Sequence, residues 1–239
     1  MRVLPLSVMA LDEEGFKRYL KKIGRSERKV EFDIRNMKNF EEYLLKHKRK
    51  KLEEAAPNDL KDFVKWAEET GLKIWLWAFN RYYGYKQNDV MFCALNELLG
   101  IQSMKILKLK DFLEVNRQHV HALKAKGVIT AEQMLDAGRT REGREKLAEK
   151  TGAPLDYILE LVKLANLSRI SGIKKKRARL YYDAGLDTME KIAKSDPEEM
   201  RQMLAEFVDR TGFDGSAPPI FEAAFSIKLA KYLVRIVEY

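Results

Sequence analysis

The chain is predicted to fold as an all-α protein, and three observations carry that prediction. Apolar residues recur at three- and four-residue spacing along nearly the whole sequence, which gathers them on one face of a helix. Strictly alternating runs long enough to build a sheet are missing. Helix-starting and helix-stopping residues punctuate the apolar pattern.

The elements follow in order. Gly24-Arg25-Ser26 separates a first helix, carrying Phe16, Tyr19, Leu20 and Ile23, from a long second one. Val30, Ile34, Met37, Phe40 and Leu44 form the stripe of that second helix, and Ser26 stands where a cap is needed. The basic run at 46–51 closes it, where cations suit the negative end of the helix dipole. Pro57-Asn58-Asp59 opens a third helix through Leu60, Phe63, Val64 and Ala67, ended by Gly71. A fourth helix, 74–83, is aromatic, and core packing accounts for most of Trp66, Trp75, Trp77, Phe79, Tyr82 and Tyr83. A fifth runs from about residue 88 to 99 and stops at Gly100. Two domains are expected, 1–104 and 105–239, each large enough for its own core.

The second half contains an internal repeat. Residues 109–135 align with 167–193, which places Gly127 over Gly185 and Thr130 over Thr188. LAEKTG at 147–152 then matches FVDRTG at 207–212, and an apolar helix follows in each copy.

The second copy carries the most informative stretch, 166–194. Leu167 and Ile170 close an apolar helix, Ser171, Gly172 and Ile173 make a tight turn, and Lys174 opens the next helix. The first turn of a helix exposes unpaired backbone N–H groups and the positive end of the dipole, the ingredients of an anion site. Arg169, Lys174, Lys175, Lys176, Arg177 and Arg179 surround this one, and no acidic residue lies between Ser168 and Tyr182. A basic face that is merely solvated is the competing interpretation. The first copy has Glu114 in place of Gly172 and Asn116 in place of Lys174, so it is expected to bind phosphate poorly and to serve mainly the structure, with Arg117, His119 and His121 its remaining candidate contacts.

Composition agrees with a polyanionic partner. The net charge is +9 and the isoelectric point about 9.4, which favours nucleic acid through long-range attraction and counterion release. One cysteine, Cys93, lies within an apolar helical pattern and implies a buried thiol, a reducing compartment and cytoplasmic localisation. The N-terminal stretch lacks a convincing cleavage site and is read as mature protein, and no run is long enough for a membrane span. The abundance of Lys and Glu is like that of thermophile proteins.

Several resemblances attach to these residues. The 166–194 stretch resembles the helix-hairpin-helix motif of DNA-binding proteins, with Lys174 where that family has its second glycine. The motif implies a duplex DNA partner held by Arg169, Ser171, Gly172, Ile173, Lys174, Lys175, Lys176, Arg177 and Arg179. It also allows a monovalent cation on turn carbonyls. The tandem as a whole resembles the DUF4332 family, over about 109–239 and most strongly over 143–193. FKRYLKKIGRSERKVEFDIRNMKNFEEYL at 16–44, APNDLKDFVKWAEETGL at 56–72 and WAFNRYYGY at 77–85 resemble the SAM-like core-binding domain of phage integrases and tyrosine recombinases. That likeness implies secondary DNA contacts from Arg25, Ser26, Arg28, Lys29, Lys73 and Arg81.

The catalytic half of a recombinase is missing. No His has an Arg three residues on, and Tyr239 lacks the converging basic residues that a nucleophilic tyrosine requires. Nucleotide-binding glycine motifs and a catalytic Gly-x-Ser-x-Gly are also lacking, and His119 and His121 point to different sides of a helix. The expectation is a non-enzymatic, mainly sequence-independent binder of double-stranded DNA, without metal or cofactor. The alternative is a helical module that binds protein and recruits a DNA-processing enzyme.

Overall fold

The computed structural model of the protein describes residues 11–233 and 235–239; the first ten residues of the N-terminal stretch lie outside them. The protein is all-α, and no strand occurs among the described residues. The chain divides into two compact units, Met1–Leu95 and Asn96–Tyr239.

In the first unit, α1 (Glu13–Lys22), α2 (Glu27–Tyr43), α3 (Pro57–Thr70), α4 (Leu76–Tyr85) and the start of α5 (Asp89–Ile106) enclose an aromatic core. Asp12 caps α1 by accepting from the amide of Gly15 at 3.0 Å. Pro57 occupies the first position of α3, where its missing N–H costs nothing. Phe40 packs on Phe63 and Phe79 with ring centroids 5.0 and 5.7 Å apart, and Phe16 meets Tyr82 edge-on at 5.1 Å. Cys93 is buried.

Helix α5 corrects the sequence reading at Gly100. The helix runs through that glycine to Ile106, and Gly100 is buried where α5 meets the backbone of Arg169. Gly100 is a packing glycine, not a stop.

In the second unit the repeat is plain. Helices α6 (Arg117–Ala125), α7 (Ala131–Gly138), α8 (Arg141–Thr151) and α9 (Leu155–Leu167) correspond in order to α10 (Lys175–Asp183), α11 (Met189–Lys194), α12 (Pro197–Thr211) and α13 (Ile220–Tyr232). α7 packs on α9 as α11 packs on α13. Thr130 and Thr188 each cap the following helix, accepting from the amides of Gln133 and Lys191. Near the end of the chain, Val237 is buried, the amide of Glu238 donates to the carbonyl of Arg139 at 2.8 Å, and its carboxylate accepts from the amide of Arg141 at 3.2 Å. Asn166 donates to the Tyr239 hydroxyl at 3.1 Å.

The two turns also correspond. Gly172 sits at φ 95° and Glu114, its counterpart, at φ 57°, in the left-handed region that suits glycine. A side chain there costs about 1–2 kcal/mol, offset in part by the greater freedom glycine has when unfolded. Glu114→Gly is therefore expected to stabilise the protein by about 0.5–1 kcal/mol. The urea midpoint should rise; a fall would mean that the Glu114 side chain contributes more than its backbone strain costs.

Candidate nucleic-acid interface

The turn at 168–174 joins α9 to α10. Leu167, Ile170 and Ile173 are buried and anchor it, and the amide of Ile173 donates to the carbonyl of Ile170 at 3.0 Å. Gly172 is exposed at the tip. Lys174 precedes α10 in extended conformation and its side chain makes no cap. The first backbone amide of this segment with an intrahelical partner is that of Ala178, which donates to the Lys174 carbonyl at 2.8 Å. Among the described residues, no acceptor meets the amides of Lys174, Lys175, Lys176 or Arg177.

The first copy handles the same groups differently. The Asn116 carboxamide oxygen accepts from the amides of Gln118 and His119 at 2.9 and 3.2 Å, and the Asn116 amide donates to the Tyr157 hydroxyl at 2.9 Å. One copy therefore satisfies three of these amides internally, and the other leaves all four open.

The cations expected at this site separate into three groups. Lys174 and Lys175 are exposed, and neither has an ion pair or hydrogen-bond partner among the described residues. Lys176 and Arg177 are held by later residues: Lys176 pairs with Asp214 at 2.7 Å, while Arg177 donates to the Ser216 carbonyl at 2.7 Å and to Glu222 at 3.1 Å. Arg169, Ser171, Ile173 and Arg179 are buried, which leaves little of their side chains at the surface. Arg169 bonds to Asn166 at 3.2 Å, and burial pulls its pKa below the ordinary value. Arg179 donates to the Leu113 carbonyl at 3.0 Å and pairs with Glu160 at 2.7 Å and Asp183 at 3.3 Å. Burial disfavours its charge, but the two carboxylates outweigh burial and raise its pKa. Arg179 ties the two turns together within the unit.

In the first unit, Arg25 and Arg81 converge on Asp33, at 3.1 and 3.2 Å. Asp33 is fully buried, which raises its carboxyl pKa despite both guanidiniums. Both guanidiniums are engaged by this carboxylate and remain partly exposed. Ser26 lies at the start of α2 without capping it, while Arg28, Lys29 and Lys73 are exposed. Arg117 is exposed in the first turn of α6.

Trp75 and Trp77 also depart from expectation. They are exposed, whereas Phe79, Tyr82 and Tyr83 are buried as anticipated. The capping by Asn116 went unread too, although Asn is a favoured N-cap and its position ahead of α6 was visible.

Tyr239 has its pKa raised by burial, and its hydroxyl is engaged by Asn166. Among the described residues, no helix is long and apolar enough to cross a membrane. No curated protein and no solved structure matches the chain. A family model does, over residues 113–233, a span that takes in α6 to α13 and therefore both copies of the repeat. That model describes a domain of unknown function, DUF4332, and the chain belongs to that family.

Proposed function

We propose that this protein is a non-catalytic, mainly sequence-independent binder of double-stranded DNA, with 155–183 acting as a helix-hairpin-helix. The observation that carries the reading is the open N-terminus of α10. Four successive backbone amides without acceptors lie beside two exposed, unpartnered lysines and a left-handed glycine, while of the equivalent amides of the first copy those of Gln118 and His119 are closed by Asn116 and that of Asn116 by Tyr157. Backbone amides and lysines of this kind hold phosphate oxygens without reading base sequence. Gly172 lets a phosphate approach the turn without meeting a side chain. The reading stands on the second unit alone.

The test is fluorescence anisotropy with a random-sequence duplex over a range of salt. About four to eight phosphate contacts give a log-log slope of about −4 to −7. Lys174→Gln with Lys175→Gln should weaken binding on the order of 1–3 kcal/mol and make the slope shallower by about two. Lys124→Gln with Lys126→Gln removes equal charge from exposed positions in the first copy and should matter clearly less. A flat salt response sinks the reading, and equal losses in the two variants mean that net basicity, not the turn, does the binding.

A further inference from the structure

The first unit carries a second feature that the duplex reading does not use. Phe32, Trp75 and Trp77 are 37%, 48% and 40% exposed, in a unit whose other large rings pack against one another. Trp75 and Trp77 flank Leu76, which is buried, so the anchor between them turns both indoles away from the core. Their backbone is fixed to α2. The Asn36 side chain accepts from the Trp75 amide at 2.8 Å and donates to the Phe32 carbonyl at 2.8 Å. Arg81 donates to the Trp77 carbonyl at 3.0 Å while pairing with Asp33, the residue next to Phe32. The three rings thus stand on one hydrogen-bonded seam between α2 and the start of α4.

The exposed residues one helical turn from Phe32 are all cationic. The residues one helical turn from Phe32 are Arg28, Lys29, Arg35 and Asn36. The Arg35 guanidinium lies 5.4 Å from the Phe32 ring centroid. Lys73 precedes Trp75 by two residues. Among the described residues, none of these four cations pairs with a carboxylate. Asp33 is buried against two arginines, and Glu31 is turned about 100° around α2 from Phe32.

We infer that this seam is a binding site for unpaired DNA, in which Phe32, Trp75 and Trp77 stack on bases while Arg28, Lys29, Arg35 and Lys73 follow the phosphates. Exposed rings offer faces, and only unpaired bases offer faces in return, because a duplex hides them in its stack. An apolar protein partner would leave four cations facing it without counter-charge. The site shares no residue with the open turn of α10, so each can fail without the other.

The experiment uses the full chain and a 20-mer of thymidylate. Titration should quench tryptophan fluorescence, and Trp75→Ala with Trp77→Ala should weaken oligo(dT) binding by about 30-fold or more. An abasic strand of equal length and charge should bind the wild type at least about 10-fold more weakly than oligo(dT), since it offers phosphates without bases. Trp75→Phe with Trp77→Phe should restore most of the affinity lost in the alanine variant. Duplex affinity should change less than about twofold in the alanine variant, and Lys174→Gln with Lys175→Gln should retain the quench. Equal binding of the abasic strand, or an alanine variant that binds oligo(dT) as the wild type does, overturns the inference. Tighter binding of oligo(U) RNA overturns the assignment to DNA, and competition by random duplex at equal concentration overturns the assignment to unpaired strands.

Discussion

Arg179→Ala is expected to cost about 3 kcal/mol of stability while leaving the duplex affinity of the folded protein unchanged. The substitution abandons three acceptors at once: the Leu113 carbonyl and the carboxylates of Glu160 and Asp183. Both carboxylates are partly screened, with side chains 22% and 24% exposed, which places the cost at the lower end of the range for a broken buried pair. The deficit should depend on pH in a defined direction. Burial raises the pKa of Asp183, and Arg179 is the main influence pulling it back. A raised carboxyl contributes stability that is present below its ordinary value of 3.8 and lost as pH rises through the folded-state value. Removing Arg179 widens that gap, so the difference between variant and wild type should be largest near neutrality and narrow as pH falls through the raised folded-state value of Asp183 towards 3.8. Urea denaturation at several pH values measures it. Unchanged stability together with lost duplex affinity would instead make Arg179 a ligand contact.

The other large effect is expected at Gly100. A Cβ built there lies 2.0 Å from the Arg169 carbonyl oxygen and 2.9 Å from its carbon. Both atoms belong to the backbone, so no rotamer change relieves the clash, and α5 must move away from the segment following α9. Gly100→Ala should therefore destabilise the protein by about 3 kcal/mol, although alanine is the better helix former by about 1 kcal/mol. Chemical denaturation decides it: a variant within about 0.5 kcal/mol of the wild type would show that the two backbones separate easily.

Gly100 also illustrates where sequence reading stops. A glycine after an apolar helical run reads as a terminator, and at Gly71, Gly152 and Gly212 the backbone is left-handed at a helix end. At Gly100 the same residue type permits close packing, and only the tertiary neighbour distinguishes the cases. Local rules were legible because their partners are local: Thr188 and its cap, Gly172 and its turn, Pro57 at the start of α3. The α10 cations were legible as a cluster but not as individuals. The stretch around them is free of acid, yet Asp214 and Glu222 reach Lys176 and Arg177 from 38 and 45 residues away. Trp75 and Trp77 were misread because Trp-Leu-Trp fits either helix phase, and the phase follows from which residue α2 anchors.

The contacts of residues 237–239 bear on how the second unit opens. Glu238 is bonded to Arg139 and Arg141 in the connection between α7 and α8, and Tyr239 to Asn166 at the end of α9. A stretch that follows the second copy is therefore stitched into the first. Tandem repeats joined only through neighbours can fray one at a time from an end, with each repeat opening at its own free energy. Here residues 238 and 239 close a loop of nearly a hundred residues onto the earlier copy, so neither copy can fray without breaking contacts of the other. The second unit is therefore expected to open as one cooperative block, with its least local contacts the slowest to form.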